Sequence, residues 1–131
     1  DIGKKSLEKI NTQNNINIQD LKKKEKILKD LEIEIASKKN IISKEAFDKE
    51  VIIFRKNIDQ FKIEQKQVIK DFNDYKKKEI DKVFQTISPI INSYMEQKSV
   101  KILFDAKNIF MARNDLNLTN DILEAINKEV K

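Results

Sequence analysis

The sequence predicts a mostly α-helical α+β protein, in which a long antiparallel helical hairpin is joined to a small body made of a β-hairpin and a helix. Apolar side chains in residues 47–75 recur at alternating steps of four and three, which is the a/d seam of a coiled coil. A weaker seam of the same kind runs through residues 7–42. After residue 97 the pattern changes to short runs of branched and aromatic residues, which are typical of strands.

The composition agrees with long solvated helices and argues against enzymatic chemistry. The 131 residues are 39% hydrophobic and 37% charged, with one glycine and one proline. Cysteine and histidine are absent, which removes disulfides, thiolate ligands and every nucleophile activated by histidine. We therefore expect no enzyme activity, no catalytic residue, no metal site and no cofactor. Since no apolar run reaches 18 residues, no membrane span is predicted.

The charge balance is basic, with a net charge of +5. Only two of the 27 basic residues are arginines, so 25 are lysines. Lysine is a mobile point charge, whereas the bidentate reading of bases and phosphates favours arginine. The excess predicts diffuse attraction to acidic partners, with weak anionic-lipid contact as an option, and no specific nucleic-acid recognition.

Residues 1–10 are predicted to enter the first helix, which runs to the turn that begins near residue 38. Ile18, Ile27 and Ile41 are expected to widen its apolar stripe from flanking positions. Asn14 and Asn17 lie on the seam, where they either fix the register or mark local fraying. The a row is Leu7, Asn14, Leu21, Leu28, Ile35 and Ile42, and the d row is Ile10, Asn17, Lys24, Leu31 and Lys38.

A turn near residues 38–47 is predicted to reverse the chain, with Ser43 as the N-cap of the second helix. The second helix is expected to end near Ser88, where Pro89 either begins a new helical segment or kinks a continuous helix. The second seam consists of Phe47, Val51, Phe54, Ile58, Phe61, Gln65, Val68, Phe72 and Tyr75.

The tip of the hairpin carries more apolar side chains than a single seam can cover. Ile41 and Ile42 are adjacent in the turn, and Ile52 and Ile53 follow Val51. Exposed apolar patches usually mark contact with another molecule. The alternative is that these isoleucines pack across the turn.

The C-terminal third is predicted to hold two strands and a helix. Ser99–Asp105 and Ile109–Ala112 form an antiparallel β-hairpin around a turn at 105–108. Two strands alone are unstable in water, so this hairpin must join further strands, from this chain or another. Thr119 is the expected N-cap of the last helix. Its apolar face is Ile122, Leu123, Ile126 and Val130.

These elements divide the chain into a coiled-coil arm at residues 4–97, with its tip near 38–47, and a body at residues 98–131. Their order resembles the Skp/OmpH family of periplasmic chaperones. The specific part of the likeness lies in Ile90–Met95, Val100–Asp105, Asn108–Met111 and the closing helix, and the Gly3-Lys4-Lys5 start is also similar. The matching closing-helix residues are Leu116, Leu118, Thr119, Asp121, Ile122, Leu123, Ile126 and Asn127.

The resemblance implies a homotrimer whose helical arms hold unfolded outer-membrane β-barrel proteins without ATP, in the periplasm of a Gram-negative bacterium. Family members open with a β-strand just before the Gly-Lys segment, and this chain starts after that point, so we expect a weakened trimer. The expected client contacts are Lys38, Lys39, Ile41, Ile42, Lys44, Ile52 and Ile53. The expected oligomerisation residues are Val100, Ile102, Phe104, Ile109, Met111, Ile122 and Ile126, although these could equally form a core within one chain.

The heptads alone also fit a structural or adaptor coiled coil. Such a protein would bind one folded partner and ignore unfolded chains. The lysine excess alone fits a nonspecific binder of nucleic acid or anionic lipid, whose affinity would fall steeply with salt.

Overall fold

The computed structural model describes residues 2–130, and Lys131, the last residue of the predicted body, lies outside them together with Asp1. The chain forms two long helices, two single 3₁₀ turns and a short final helix. These are α1 (Ile2–Lys38), α2 (Lys44–Gln97), the turns Ala106–Asn108 and Asn114–Leu116, and α3 (Thr119–Glu129). Two compact units are distinguished: a hairpin unit, residues 9–76, and a terminal unit formed by residues 2–8 and 77–130. None of the helices in the described range is long and apolar enough to cross a membrane.

The hairpin unit is held by the predicted seam between α1 and α2. Its leucines, phenylalanines and valines are half-buried, because two helices with one shared face leave the other faces in water. Ile10 and Ile35 are its buried apolar side chains. The predicted widening of the stripe by Ile18, Ile27 and Ile41 is wrong, since all three are exposed.

α1 is continuous through residues 11–17, which excludes the fraying alternative. Within it, the side-chain amide of Gln13 donates to Oδ1 of Asn17 over 3.0 Å. Both side chains are half-buried. A polar pair of this kind satisfies itself along the helix, so the seam can carry amides without breaking the backbone ladder.

The turn between α1 and α2 is fixed by backbone hydrogen bonds and a side-chain cap. The N–H groups of Ile41 and Ile42 both donate to the carbonyl of Lys38, over 2.9 and 3.1 Å. Ser43 Oγ accepts from the N–H of Ala46 over 3.3 Å, and the Ser43 carbonyl accepts from Phe47 over 3.0 Å. The predicted N-cap is confirmed.

Replacing Ser43 with alanine is expected to destabilise the hairpin unit by about 1 kcal/mol, because an amide of the first turn of α2 loses its acceptor. Urea unfolding at fixed chain concentration measures the effect. Ser37→Ala is the matched control: Ser37 is exposed and its hydroxyl only bonds back to the Glu34 carbonyl within α1. Equal unfolding midpoints for the two variants would contradict the capping role.

α2 does not end near Ser88 as predicted; it runs through Pro89 to Gln97. Proline in a helix removes one hydrogen bond and disfavours the helical conformation of the preceding residue. The neighbouring turns carry extra side-chain bonds to the backbone: Ser88 Oγ donates to the Phe84 carbonyl over 2.6 Å, and Thr86 Oγ1 to that of Lys82 over 3.0 Å. Of the two predicted alternatives at Pro89, the structure therefore has the continuous helix with an interior proline.

α2 is closed by a Schellman motif rather than followed by a strand at Ser99. Ser99 has φ 53°, in the left-handed region that favours glycine. The N–H of Val100 donates to the Met95 carbonyl over 2.9 Å, and that of Ser99 to the Glu96 carbonyl over 3.2 Å. Ser99 is therefore a helix cap, and the predicted start of the first strand is wrong.

The predicted β-hairpin is not confirmed, since the described residues contain no strand. The turn at its centre does form: Asp105 Oδ1 accepts from the N–H of Lys107 over 3.0 Å. The flanking Asp105 and Ile109 have extended backbones. Extended segments without a partner strand match the expectation that two strands alone are unstable.

α3 begins at Thr119, one residue earlier than a Thr119 cap implies, so Leu118 is the N-cap residue and the predicted Thr119 cap is wrong. Oδ1 of Asn117 accepts from the N–H of Thr119 over 3.1 Å, which replaces the expected cap with an Asx turn. Asp121 lies in the first turn as predicted. Ile126 is buried and Ile122 half-buried, whereas Leu123 is exposed. The apolar face of α3 is thus narrower than the sequence suggested.

Candidate functional site

The register of the hairpin unit is marked by two ion pairs across the seam. Lys24 Nζ lies 2.6 Å from Glu64 Oε2, and Lys38 Nζ lies 3.2 Å from Glu50 Oε2. Fourteen residues separate the two lysines and fourteen separate the two glutamates, so the pairing is constant over two heptads. Both lysines occupy d positions of α1. The weak d row is therefore explained by lysines that reach glutamates of α2.

Lys38 lies between two carboxylates at the tip end of α1. It pairs with Glu34 over 2.8 Å as well as with Glu50. The hydrogen bond to Glu34, followed by that to Glu50, raises the pKa of Lys38. This predicted client contact is half-buried and already paired, which makes it a structural residue of the tip.

At the Lys24–Glu64 pair, the hydrogen bond from Lys24 and then the bond from Gln60 lower the pKa of Glu64 below 4.5. A carboxyl group whose pKa is lower in the folded state stabilises the fold above its unfolded pKa. That stability is lost as the pH falls through the folded pKa. The pair therefore supports the hairpin at neutral pH and not in acid.

Glu64→Gln is expected to lower the thermal midpoint at pH 7 by about 1–3 °C, a modest value because the pair is partly exposed. The gap between wild type and variant should close as the pH falls below 4.5. Circular dichroism melts between about pH 7 and pH 3 measure it. Glu32→Gln is the control, because exposed Glu32 makes no ion pair within the described residues. A gap that persists in acid would contradict this assignment.

Most of the other predicted client contacts are exposed to solvent at the tip. Ile41 in the turn is 79% exposed, and Lys39, Lys44, Ile52 and Ile53 are exposed as well. Ile42 is half-buried, which agrees with partial packing across the turn. The tip thus presents three isoleucines and two lysines to solvent.

Exposed isoleucines also extend along both helices of the hairpin unit, beyond the predicted contacts. Ile18 and Ile27 were predicted to widen the stripe, and the other four were not predicted as contacts, although the positions of all six outside the a and d rows were a readable signal. The set beyond the tip is Ile16, Ile18, Ile27, Ile33, Ile63 and Ile69.

The positive charge of the protein belongs mainly to the hairpin unit. Residues 9–76 contain 16 basic and 12 acidic residues, a net of +4 out of the total of +5. Many of the lysines are solvated, so the field they create is screened by salt over about 10 Å at 0.1 M ionic strength. The hairpin unit is therefore a mildly basic surface with scattered apolar side chains.

In the terminal unit, residues 102–111 expose a run of large apolar side chains. Ile102 is 67% and Phe104 66% exposed, and Ile109 and Met111 are exposed too. Leu103 and Phe110, which alternate along the chain with the predicted oligomerisation residues, are also exposed. The sequence therefore predicted the residues on one face of this segment, whereas apolar side chains on both faces are exposed. The predicted residues outside the run differ in exposure: Val100 and Ile122 are half-buried and Ile126 is buried.

A side-chain hydrogen bond joins the C-terminal end of α2 to the first turn of α3. The Tyr94 hydroxyl donates to Asp121 Oδ2 over 3.2 Å. Partial burial, and then the bond to Asp121, raises the pKa of Tyr94. Nearby polar side chains make no cluster of three or more carboxylates that could hold a metal ion within the described residues. The contact holds α3 in place and suggests no chemistry of its own.

No family model and no curated protein matches the sequence. Among solved structures, the chain is similar to the crystal structure of a candidate outer membrane chaperone (OmpH-like) from Caulobacter crescentus CB15, with a TM-score of 0.86 and 16% sequence identity. The match covers 98% of this chain and 76% of that chain. At this level of identity the likeness establishes the fold and does not transfer individual residues. The chain has the OmpH-like fold, as the resemblance in its sequence predicted.

Proposed function

We propose that this protein is an ATP-independent holdase chaperone that binds unfolded outer-membrane β-barrel proteins and prevents their aggregation in the periplasm of a Gram-negative bacterium. The observation that carries the proposal is a solvated helical hairpin with exposed isoleucines among lysines, in a chain whose fold is that of an OmpH-like candidate chaperone. The proposed activity needs no catalytic residue, metal or cofactor.

The distribution of apolar side chains supports a client that lacks fixed structure. A folded partner is usually held by a compact cluster of anchors in a well-packed interface. The hairpin unit instead offers single isoleucines separated by charged side chains. Many weak contacts of this kind can be made by different sequences, which is the property of a promiscuous binder.

The charge supports acidic clients. A hairpin unit with a net charge of +4 attracts acidic chains at long range and raises their association rate at low salt. Client capture should therefore slow as ionic strength rises, while contacts to the isoleucines persist.

The proposed oligomer is a homotrimer built by the body, in which extended segments of different copies pair. Residues 101–105 carry no strand partner in the described chain and expose Ile102 and Phe104. Unpaired backbone and exposed apolar side chains are what a strand offers to another copy. The trimer would bring three helical hairpins to one client.

The test is the light scattering of a urea-unfolded porin diluted into buffer. Wild-type protein at equimolar trimer should suppress the scattering. The double variant Ile41→Ser, Ile42→Ser should suppress it several-fold less, with unchanged oligomer mass, because apolar area at the tip is lost. Asn40→Ser in the same turn removes no apolar side chain and serves as the control. If wild-type protein leaves the scattering unchanged, the holdase proposal fails; if the double variant unfolds, Ile41 and Ile42 serve packing.

A structural or adaptor coiled coil is the second candidate, favoured by the constant register that Lys24–Glu64 and Lys38–Glu50 mark. It predicts a stable complex with one folded partner and no effect on an unfolded porin. The scattering experiment separates the two candidates.

A further inference from the structure

In the hairpin unit most isoleucines are exposed, whereas the other large apolar side chains are half-buried. The leucines, phenylalanines and valines of residues 9–76 are all half-buried on the seam. Of 13 isoleucines in the same range, nine are exposed. We call these the outward isoleucines: Ile16, Ile18, Ile27, Ile33, Ile41, Ile52, Ile53, Ile63 and Ile69.

The outward isoleucines do not form a stripe. Ile41 lies in the turn, and the other eight occupy all five heptad positions other than a and d. A second helix or a second copy of this chain would need a continuous apolar row to lie against. An unfolded chain can follow an irregular pattern, so the placement selects that occupant.

Neither helix formation nor packing explains why isoleucine stands at these positions. Exposed helix positions favour lysine, glutamate, glutamine or leucine, because a β-branched side chain is crowded by the preceding turn. The same crowding fixes χ1, so an isoleucine on a helix has little rotamer freedom left to lose when another chain covers it. A methionine or a lysine, with an unbranched and flexible side chain, loses more rotamer entropy when it is covered.

Lysines lie one helical turn from several outward isoleucines, at the i,i+3 or i,i+4 spacing that places two side chains on the same face: Lys23 lies one turn from Ile27, and Lys66 lies one turn from both Ile63 and Ile69. A client segment that carries an acidic residue next to an apolar one meets both complementary groups at such a position. We propose that the outward isoleucines are the residues that select the client, and that they favour unfolded segments in which apolar and acidic side chains are neighbours. The proposal rests on the holdase function above.

The direct test uses wild-type protein with ¹³C-labelled isoleucine δ1 methyl groups and a urea-unfolded porin. On addition of the porin, the methyl signals of the outward isoleucines should shift or broaden, and those of buried Ile10 and Ile35 should not. If scattering shows that the porin is held and the outward methyl signals do not respond, this inference is overturned while the holdase function stands. If the porin is not held, both fail.

The variant test replaces Ile27, Ile33, Ile63 and Ile69 with glutamine. These four are 59–64% exposed and take no part in the seam, so the helices should keep their thermal midpoint. The porin Kd should rise roughly tenfold, which is about 1.4 kcal/mol shared by four side chains. Leucine at the same four positions keeps the apolar area and should retain most of the affinity. Unchanged affinity in the glutamine variant would overturn the inference.

Discussion

Replacing Ile102 and Phe104 with aspartate is expected to convert the proposed trimer into monomers. Both side chains are largely exposed in the single chain, so the substitutions should hardly change the stability of the folded monomer. In an assembly they would be covered, and an unpaired carboxylate there costs at least about 3 kcal/mol per chain. Sedimentation velocity measures the change in mass.

The matched control places the same two substitutions on the hairpin tip, as Ile52→Asp and Ile53→Asp. These side chains are also exposed but belong to the hairpin unit. Tip variants should keep the oligomer mass and lose porin retention. If the tip variants dissociate and the Ile102 and Phe104 variants do not, the assignment of assembly to the body is wrong.

The largest effect on stability is expected for Ile35→Ala. Ile35 is 6% exposed and is one of two buried apolar side chains in the hairpin unit. Truncation leaves a cavity on a seam with few other buried contacts, and we expect a loss of about 2–3 kcal/mol. Urea unfolding at one chain concentration checks this, since oligomerisation makes the midpoint depend on concentration.

Ile33→Ala is the control for this variant, because Ile33 is the same residue type two positions away and is 61% exposed. Its unfolding midpoint should hardly change. Equal losses at positions 33 and 35 would mean that the seam does not hold the hairpin in the register marked by Lys24–Glu64 and Lys38–Glu50.

The sequence was sufficient for the hairpin because coiled-coil periodicity is a local signal. Each heptad and the Ser43 cap are visible within a few residues of sequence. In the structure the cap forms and most apolar residues of the seam are buried or half-buried, whereas Leu7 of the a row is 57% exposed. The end of α2 was missed because a proline's cost of about 3 kcal/mol can be offset by its surroundings, as it is at Pro89. Residue types near one proline do not reveal those surroundings.

The C-terminal third was harder to predict because strand formation depends on partners far away in sequence or in another chain. Ile102 and Phe104 have strand-like residue types, yet no strand forms among the described residues. For the candidate site the limit is different: periodicity tells which isoleucines leave the seam, and only coordinates tell how exposed each one is. The pair of Lys38 with Glu50 was likewise hidden, because Glu50 lies on the other helix, whereas its pair with Glu34 has the i,i+4 spacing that the sequence shows.

The most direct test of the proposed holdase function is the mass of the complex formed when urea-unfolded porin is diluted into this protein, measured by light scattering after gel filtration. A trimeric holdase should give one soluble species that contains a porin and three chains, about 46 kDa of chaperone at three times 15.4 kDa. Porin lost to aggregates, with this protein eluting alone, would contradict it.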